Sequence, residues 1–423
     1  MNITIRKRLG RAALITAAAA LVAIAAPAAW AHGHNRNHSS TPFISTFTTV
    51  TPGAVSGPAA GPEAGDQNPY GVAVVPRTVG NLVQGNILVS NFNNVGAPPT
   101  GNLQGTGSSI VQYTPDVSSQ TTFTEIDAST LPDGGCPGGV GLTTALVALR
   151  SGWVIVGSLP TKDGSIGTVG AGCLIVLDAK GNPVEVFSGA NINGPWDMTA
   201  KDDGFIAQIF FSNVLNGGVA SAAPDTPVPA GTVVRMTLIT PPQGFGKPIA
   251  IEQTVIGSGF PEENDPAALI IGPTGLGLSR GGQNDQGQNN NGQGQNGNEQ
   301  ARSDHNDRGD QGDGGALFVA DTLGNRVAKI SNPSFRSSSA GTGTTVASGA
   351  PLNGPLGLAV ASDGDILTVN SMDGNIVDIS PNGTETTFTL AGGGGDLFGL
   401  AIMPGNAGIY FVDDSVNQLN LFH

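Results

Sequence analysis

The chain has 423 residues, of which 39% are apolar and only 12% charged, with 64 glycines and 29 prolines. Composition this rich in turn formers and this poor in charge excludes a helical bundle or a coiled coil, and two cysteines exclude a disulfide-dense miniprotein. The formal net charge of −14 repels phosphate backbones, which excludes nucleic acid as a partner.

In chain order, Arg6, Lys7, Arg8 and Arg11 precede an apolar run from Ala12 to Trp30 that closes on Ala29-Trp30-Ala31. Small residues there are what a signal peptidase reads, and Pro27 within an alanine-rich run favours cleavage after Ala31 over a retained anchor. Residues 1–31 are thus expected to be a signal peptide. The mature chain is expected to be secreted or periplasmic, with no membrane association after cleavage. Residues 32–42, with His32, His34 and His38, read as a polar leader.

From residue 43 onward a short phrase recurs. Asn68-Pro69-Tyr70-Gly71-Val72-Ala73-Val74, Gly272-Pro273-Thr274-Gly275-Leu276-Gly277-Leu278 and Gly354-Pro355-Leu356-Gly357-Leu358-Ala359-Val360 are the clear copies. Gly139-Val140-Gly141-Leu142, Gly194-Pro195-Trp196-Asp197-Met198 and Leu397-Phe398-Gly399-Leu400 are looser ones, aligned on Gly141, Asp197 and Gly399. Intervals of roughly 40 to 80 residues imply a six-bladed β-propeller rather than a solenoid. The text after Gly357 shows one blade: four strand-like runs separated by Ser362-Asp363-Gly364, Asp373-Gly374-Asn375 and Pro381-Asn382-Gly383. The last blade runs out of chain after three strands. Its outer strand is expected from Phe43 to Val50, which would close the ring and cover a sheet edge. Residues 281–313, nearly all Gln, Asn, Gly and Asp, cannot bury a core and read as a disordered insert between the first two strands of blade 4.

The run Gly315-Ala316-Leu317-Phe318-Val319-Ala320-Asp321-Thr322-Leu323-Gly324-Asn325-Arg326-Val327 resembles the NHL repeat. The whole chain over 43–423 resembles six-bladed TolB-like propellers of the NHL and gluconolactonase-related superfamily. The resemblance implies an all-β fold of four-stranded antiparallel blades. It leaves activity open, because such propellers serve as sensors, scaffolds, lactonases and lyases.

Alternating strand direction puts the start of each inner strand and the end of each second strand on one face, around the axial opening. The residues at those points are Asn68, Asn193, Asn353 and Asp396, and Asn91, Asn213, Asp321, Asn370 and Asp413. Their oxygens could hold Ca²⁺, with Asp321, Asn370 and Asp413 as the metal candidates; equally, Asn and Asp are common in turns because they bond their own backbone. In gluconolactonase-like propellers an axial divalent ion polarises a lactone carbonyl. That family places a glutamate before the Gly-Pro of its first inner strand, where this chain has Asn68-Pro69. Trp196, beside Asp197, is a candidate for the lining of the opening, and Trp153 for packing between blades. The five histidines (His32, His34, His38, His305 and His423) all lie outside the blade interiors, which excludes histidine-dependent lyase and triad chemistry. Cys136 and Cys173 both fall in blade 2, and export favours a disulfide between them.

The reading is a binding or scaffold module, monomeric, that engages a small molecule or an extracytoplasmic protein through its axial-opening face. The alternative is a divalent-metal-dependent hydrolase of the lactonase type.

Overall fold

In the computed structural model, residues 41–58, 65–95, 101–132, 134–266, 268–279 and 315–423 are described. The expected signal peptide, the expected leader up to residue 40 and the 281–313 segment lie outside the described residues. Strand pairing gives six antiparallel sheets, each built from consecutive strands. Blade 1 comprises Asp66–Val74, Ile87–Asn94, Ser109–Tyr113 and Gln120–Glu125, and blade 2 Leu142–Ala148, Val154–Ser158, Cys173–Leu177 and Pro183–Phe187. Blade 3 has the longest strands: Gly194–Asp202, Ile206–Val214, Val228–Ile239 and Ile249–Asp265, with Leu269–Ile271 added at its edge. Blade 4 is Pro273–Leu278, Ala316–Asp321, Arg326–Ser331 and Thr344–Ser348. Blade 5 is Pro355–Val360, Ile366–Asn370, Asn375–Ile379 and Glu385–Thr389. Each innermost strand packs on the next around a closed ring, from blade 1 through blade 6 and back. The fold is an all-β six-bladed propeller.

Blade 6 combines Leu397–Ile402, Ile409–Asp413 and Gln418–Phe422 with Val50–Thr51 from the start of the described chain. N-terminal closure is therefore present, but the strand is not the one expected. Phe43–Thr46 forms a 3₁₀ turn, and only Val50 and Thr51 enter the ladder, opposite Phe422 and Leu421. The reason is tertiary: Phe43, Ile44 and Phe47 are drawn onto the surface of blades 5 and 6 instead. Phe47 packs edge-on against Phe422 at 5.5 Å.

Blade 5 shows why short strands form here. Strand Ile366–Asn370 is wholly buried, and the hairpins around it turn on Asx bonds. Asp373 Oδ1 accepts the Asn375 N–H (3.0 Å) while Gly374 takes φ +71°, a dihedral that costs other residues.

The core lies between blades rather than at one centre. Leu88, Ile110, Leu146 and Val156 join blade 1 to blade 2, and Trp153, Ile155, Ile209 and Phe211 join blade 2 to blade 3. Trp153 thus packs between blades as expected, and its indole N–H donates to the Pro241 carbonyl (2.7 Å). Cys136 and Cys173 are joined by a disulfide, with Cα atoms 5.5 Å apart. Among the described residues no helix is long and apolar enough to cross a membrane.

Candidate functional site

The start of each inner strand faces the end of its second strand as a register pair: Pro69 with Asn91, Leu142 with Ser158, Pro195 with Asn213, Pro273 with Asp321, Pro355 with Asn370, and Leu397 with Asp413. The predicted residues are therefore on one face. The second strand, however, stands one strand spacing (about 4.8 Å) back from the axis, so its terminal side chains lie behind the inner strand.

Those side chains are taken up by their own blades. Asn213 Oδ1 accepts the backbone N–H groups of Asn193 (2.8 Å) and Gly194 (3.0 Å). Asn370 Oδ1 accepts the Asn353 N–H (3.0 Å), and its amide donates to the Pro351 carbonyl (2.9 Å). Asn91 accepts from the Ser56 hydroxyl (2.7 Å) and donates to Ser109 Oγ (3.0 Å). Asp321 accepts from Arg326 Nε (2.8 Å) and the Gly324 N–H (3.1 Å), and Asp413 from the Ser415 N–H (3.1 Å) and hydroxyl (2.6 Å). Asp321, Asn370 and Asp413 thus sit in three blades with three separate sets of partners and are not brought together. Among the described residues no three His, Cys, Asp or Glu side chains gather as a cation's ligands. The residues present do not fit the axial Ca²⁺ that the resemblance implies.

Of the remaining candidates, Asn68 is buried with φ +60°; its Oδ1 accepts from Asn102 Nδ2 (3.0 Å) and its N–H donates to Asn417 Oδ1 (2.9 Å). Exposed Asn353 donates to Asp373 Oδ2 (3.0 Å), and the carbonyl of half-buried Asp396 accepts the Asp414 N–H (2.7 Å). Asp414, which the repeat did not single out, is the titratable centre of this corner. Burial pushes its carboxyl up to about 7, with Asp413 and Asp396 adding to the shift and Asn68 opposing it. Glu262 was also missed. It is fully buried, its Oε1 accepts the Asn216 N–H (2.7 Å), and burial raises it to about 7. Asn216 in turn accepts from Asn193 Nδ2 (2.8 Å), so Asn193, Asn213, Asn216 and Glu262 form one network. One signal was available: Glu262-Glu263 are successive strand residues, so one of the two acids must face inward.

The axis itself is filled. Tyr70 stacks on Phe398 at 3.9 Å and on Phe92 at 4.8 Å, and Trp196 lies over Phe398 at 6.5 Å. Trp196, expected to line an opening, is only 4% exposed, and its indole N–H donates to the Ile270 carbonyl (3.0 Å). Ile270 belongs to the hairpin that continues blade 3 beyond its neighbours (Ile249–Asp265 with Leu269–Ile271). That hairpin reaches blade 1, where Gln104 Nε2 donates to the Pro266 carbonyl (3.0 Å). It forms a lid over the aromatic stack.

Every inner strand carries a register shift where the stack residues Tyr70, Trp196 and Phe398 or their equivalents lie, and in four blades the repeated glycine stands there. Glycine is required there by close approach. A Cβ on Gly275 would lie 2.1 Å from the Leu356 carbonyl oxygen, on Gly357 2.0 Å from that of Phe398, and on Gly399 2.1 Å from that of Tyr70. In blade 2 the shift spans Leu142 to Leu146, so Ala145, not Gly141, takes this place. In blade 3 it is Asp197. Its carboxylate reaches across to blade 4, where Oδ2 accepts the Leu276 N–H (2.7 Å). Burial pushes this carboxyl up to about 7, against the hydrogen bonds from Leu276 and Met198.

No protein-family model matches the chain, and no curated protein matches it. Among solved structures it is similar to a gluconolactonase from Xanthomonas campestris (12% identity, 89% of this chain and 97% of that one, TM-score 0.44). It is also similar to the PQQ-bound aldose sugar dehydrogenase from Streptomyces coelicolor (14%, 88% and 97%, TM-score 0.45). A third similar structure is virginiamycin B lyase from Staphylococcus aureus (14%, 86% and 82%, TM-score 0.42). The likeness is one of fold.

Proposed function

We propose that the protein is a binding module that engages a small molecule or an extracytoplasmic protein through its axial-opening face. The observation that carries this reading is the commitment of the polar residues. The oxygens at the second-strand ends are spent on backbone and side-chain donors of their own blades, so they make a rigid frame rather than a reactive centre. Recognition then falls to the segments above that frame, chiefly the blade 3 lid and the blade 1 residue Gln104 that meets it. The Cys136–Cys173 disulfide supports an oxidising, extracytoplasmic compartment.

The test is a thermal-shift screen of small molecules with glucono-δ-lactone and p-nitrophenyl acetate turnover measured on the same preparation. Ligands that raise the melting temperature, weakened by Gln104→Ala and unaccompanied by turnover, are the expected result. Hydrolysis that EDTA abolishes would replace this reading with the metal-dependent hydrolase.

A further inference from the structure

At the end of the propeller away from the axial face, residues 41–51 cross from blade 5 to blade 6. The segment carries no charged side chain and is gripped through its backbone. The Phe43 N–H donates to Asp365 Oδ2 (2.9 Å) and the Ile44 N–H to Asp378 Oδ2 (3.0 Å), across sequence separations of 322 and 334 residues. Asp365 is 2% exposed, Asp378 is fully buried, and Asp378 Oδ1 is buried with no hydrogen-bond partner. The two carboxyl groups accept from successive backbone N–H groups and so lie side by side, where a proton on one of them would relieve the repulsion between two buried like charges. Beyond this grip, Phe43 packs on Phe47, Phe47 on Phe422, and the Thr48 and Thr49 N–H groups donate to the His423 carbonyl (3.1 and 2.9 Å).

We propose that residues 41–51 are a strap locked by a proton: the proton shared by Asp365 and Asp378 holds the strap on blades 5 and 6, and its loss to water frees the strap and uncovers the outer edge of blade 6. Burial outweighs the strap's own Phe43 and Ile44 N–H bonds, which favour the ionised carboxyls. Blade 5 contributes Asp363, which raises both carboxyls, and the Ser380 hydroxyl at 3.5 Å from Asp365 Oδ2. The blade 6 hairpin contributes Asn406, which lines the same groove as Asp363 and the strap. None of these supplies positive charge. Burial, the largest cause, pushes Asp378 up to about 7, so the lock falls within the range of ordinary environments. Once both carboxyls ionise, two like charges share a site closed to water, and relief comes from admitting water where Phe43 and Ile44 lie.

The test is hydrogen–deuterium exchange on the full mature chain at pH 5.5 and 8.5, with rates corrected for intrinsic exchange. Protection of peptides within 41–51 is expected to fall at least tenfold at the higher pH, while the inner strand of blade 2 keeps its protection. Asp365→Asn and Asp378→Asn each remove one charge and keep an acceptor for the strap, so each should hold it at pH 8.5; either variant suffices if the other does not fold. Equal wild-type protection at both pH values would overturn the proposal. So would a fall shared by every blade, or Asn variants that lose the strap as the wild type does.

Discussion

Two kinds of junction in this ring stand in contrast. Between blades 4 and 5, 5 and 6, and 6 and 1, a glycine lets one inner strand rest against a carbonyl of the next. Between blades 3 and 4 the same position holds Asp197, whose carboxylate bridges to the Leu276 N–H. The first kind is steric and indifferent to pH. The second is electrostatic and costs burial of a titratable group. Equivalent positions in a repeat can thus be sealed by shape or by a proton-sensitive bond, and the two should fail differently.

The largest effect is expected where shape decides. Gly357→Val puts a Cβ 2.0 Å from the Phe398 carbonyl oxygen. Backbone cannot yield cheaply, so the cost should reach about 3 kcal/mol or more, read by calorimetry or as lost soluble protein. Gly392→Ala, with open space around its Cβ, is the neutral control. Next comes Asp197→Ala, which leaves the Leu276 N–H buried without its acceptor, at about 1–3 kcal/mol in denaturant titration. Asp197→Asn keeps an acceptor and should cost less.

The pH response sharpens the contrast. Asp197, Glu262, Asp378 and Asp414 are each raised to about 7 in the folded chain. Unfolded carboxyls titrate near about 4, so between these values the native state binds more protons, and stability falls as pH rises. The melting temperature should be higher at pH 5 than at pH 8, and Asp197→Asn should flatten part of that slope without abolishing it. A wild-type melting temperature that rises over this range would break the comparison. The smallest effect is Trp196→Phe, which keeps a ring in the stack but loses the bond to the Ile270 carbonyl, about 1 kcal/mol by melting.

Much of the architecture was legible because it is written locally and repeated. Gly71, Gly275, Gly357 and Gly399 recur with their flanking apolar residues, and hairpins such as Asp373-Gly374-Asn375 mark strand ends without reference to the rest of the chain. The disulfide followed from two cysteines in one blade. What escaped depends on neighbours far along the chain. In blade 2 Leu142 takes the place of the proline and the shift holds one residue more, so the glycine's role falls to Ala145 and not to Gly141. The closing strand shrank to Val50–Thr51 because Asp365 and Asp378 take the backbone ahead of it. At the axial face, Asn213, Asn370 and Asp321 each stand at or beside the end of the second strand of their own blade. Their partners are backbone groups and Arg326, which residue type alone does not reveal. Trp196 pointed to the axis, but the hairpin that buries it belongs to a strand whose length no repeat predicts.

If the oxygens of the axial face frame a binding surface and do not hold a metal centre, the purified protein should carry no stoichiometric divalent ion, and its melting temperature should be the same before and after EDTA. One tightly held ion, with a large fall in melting temperature on chelation, would overturn that reading.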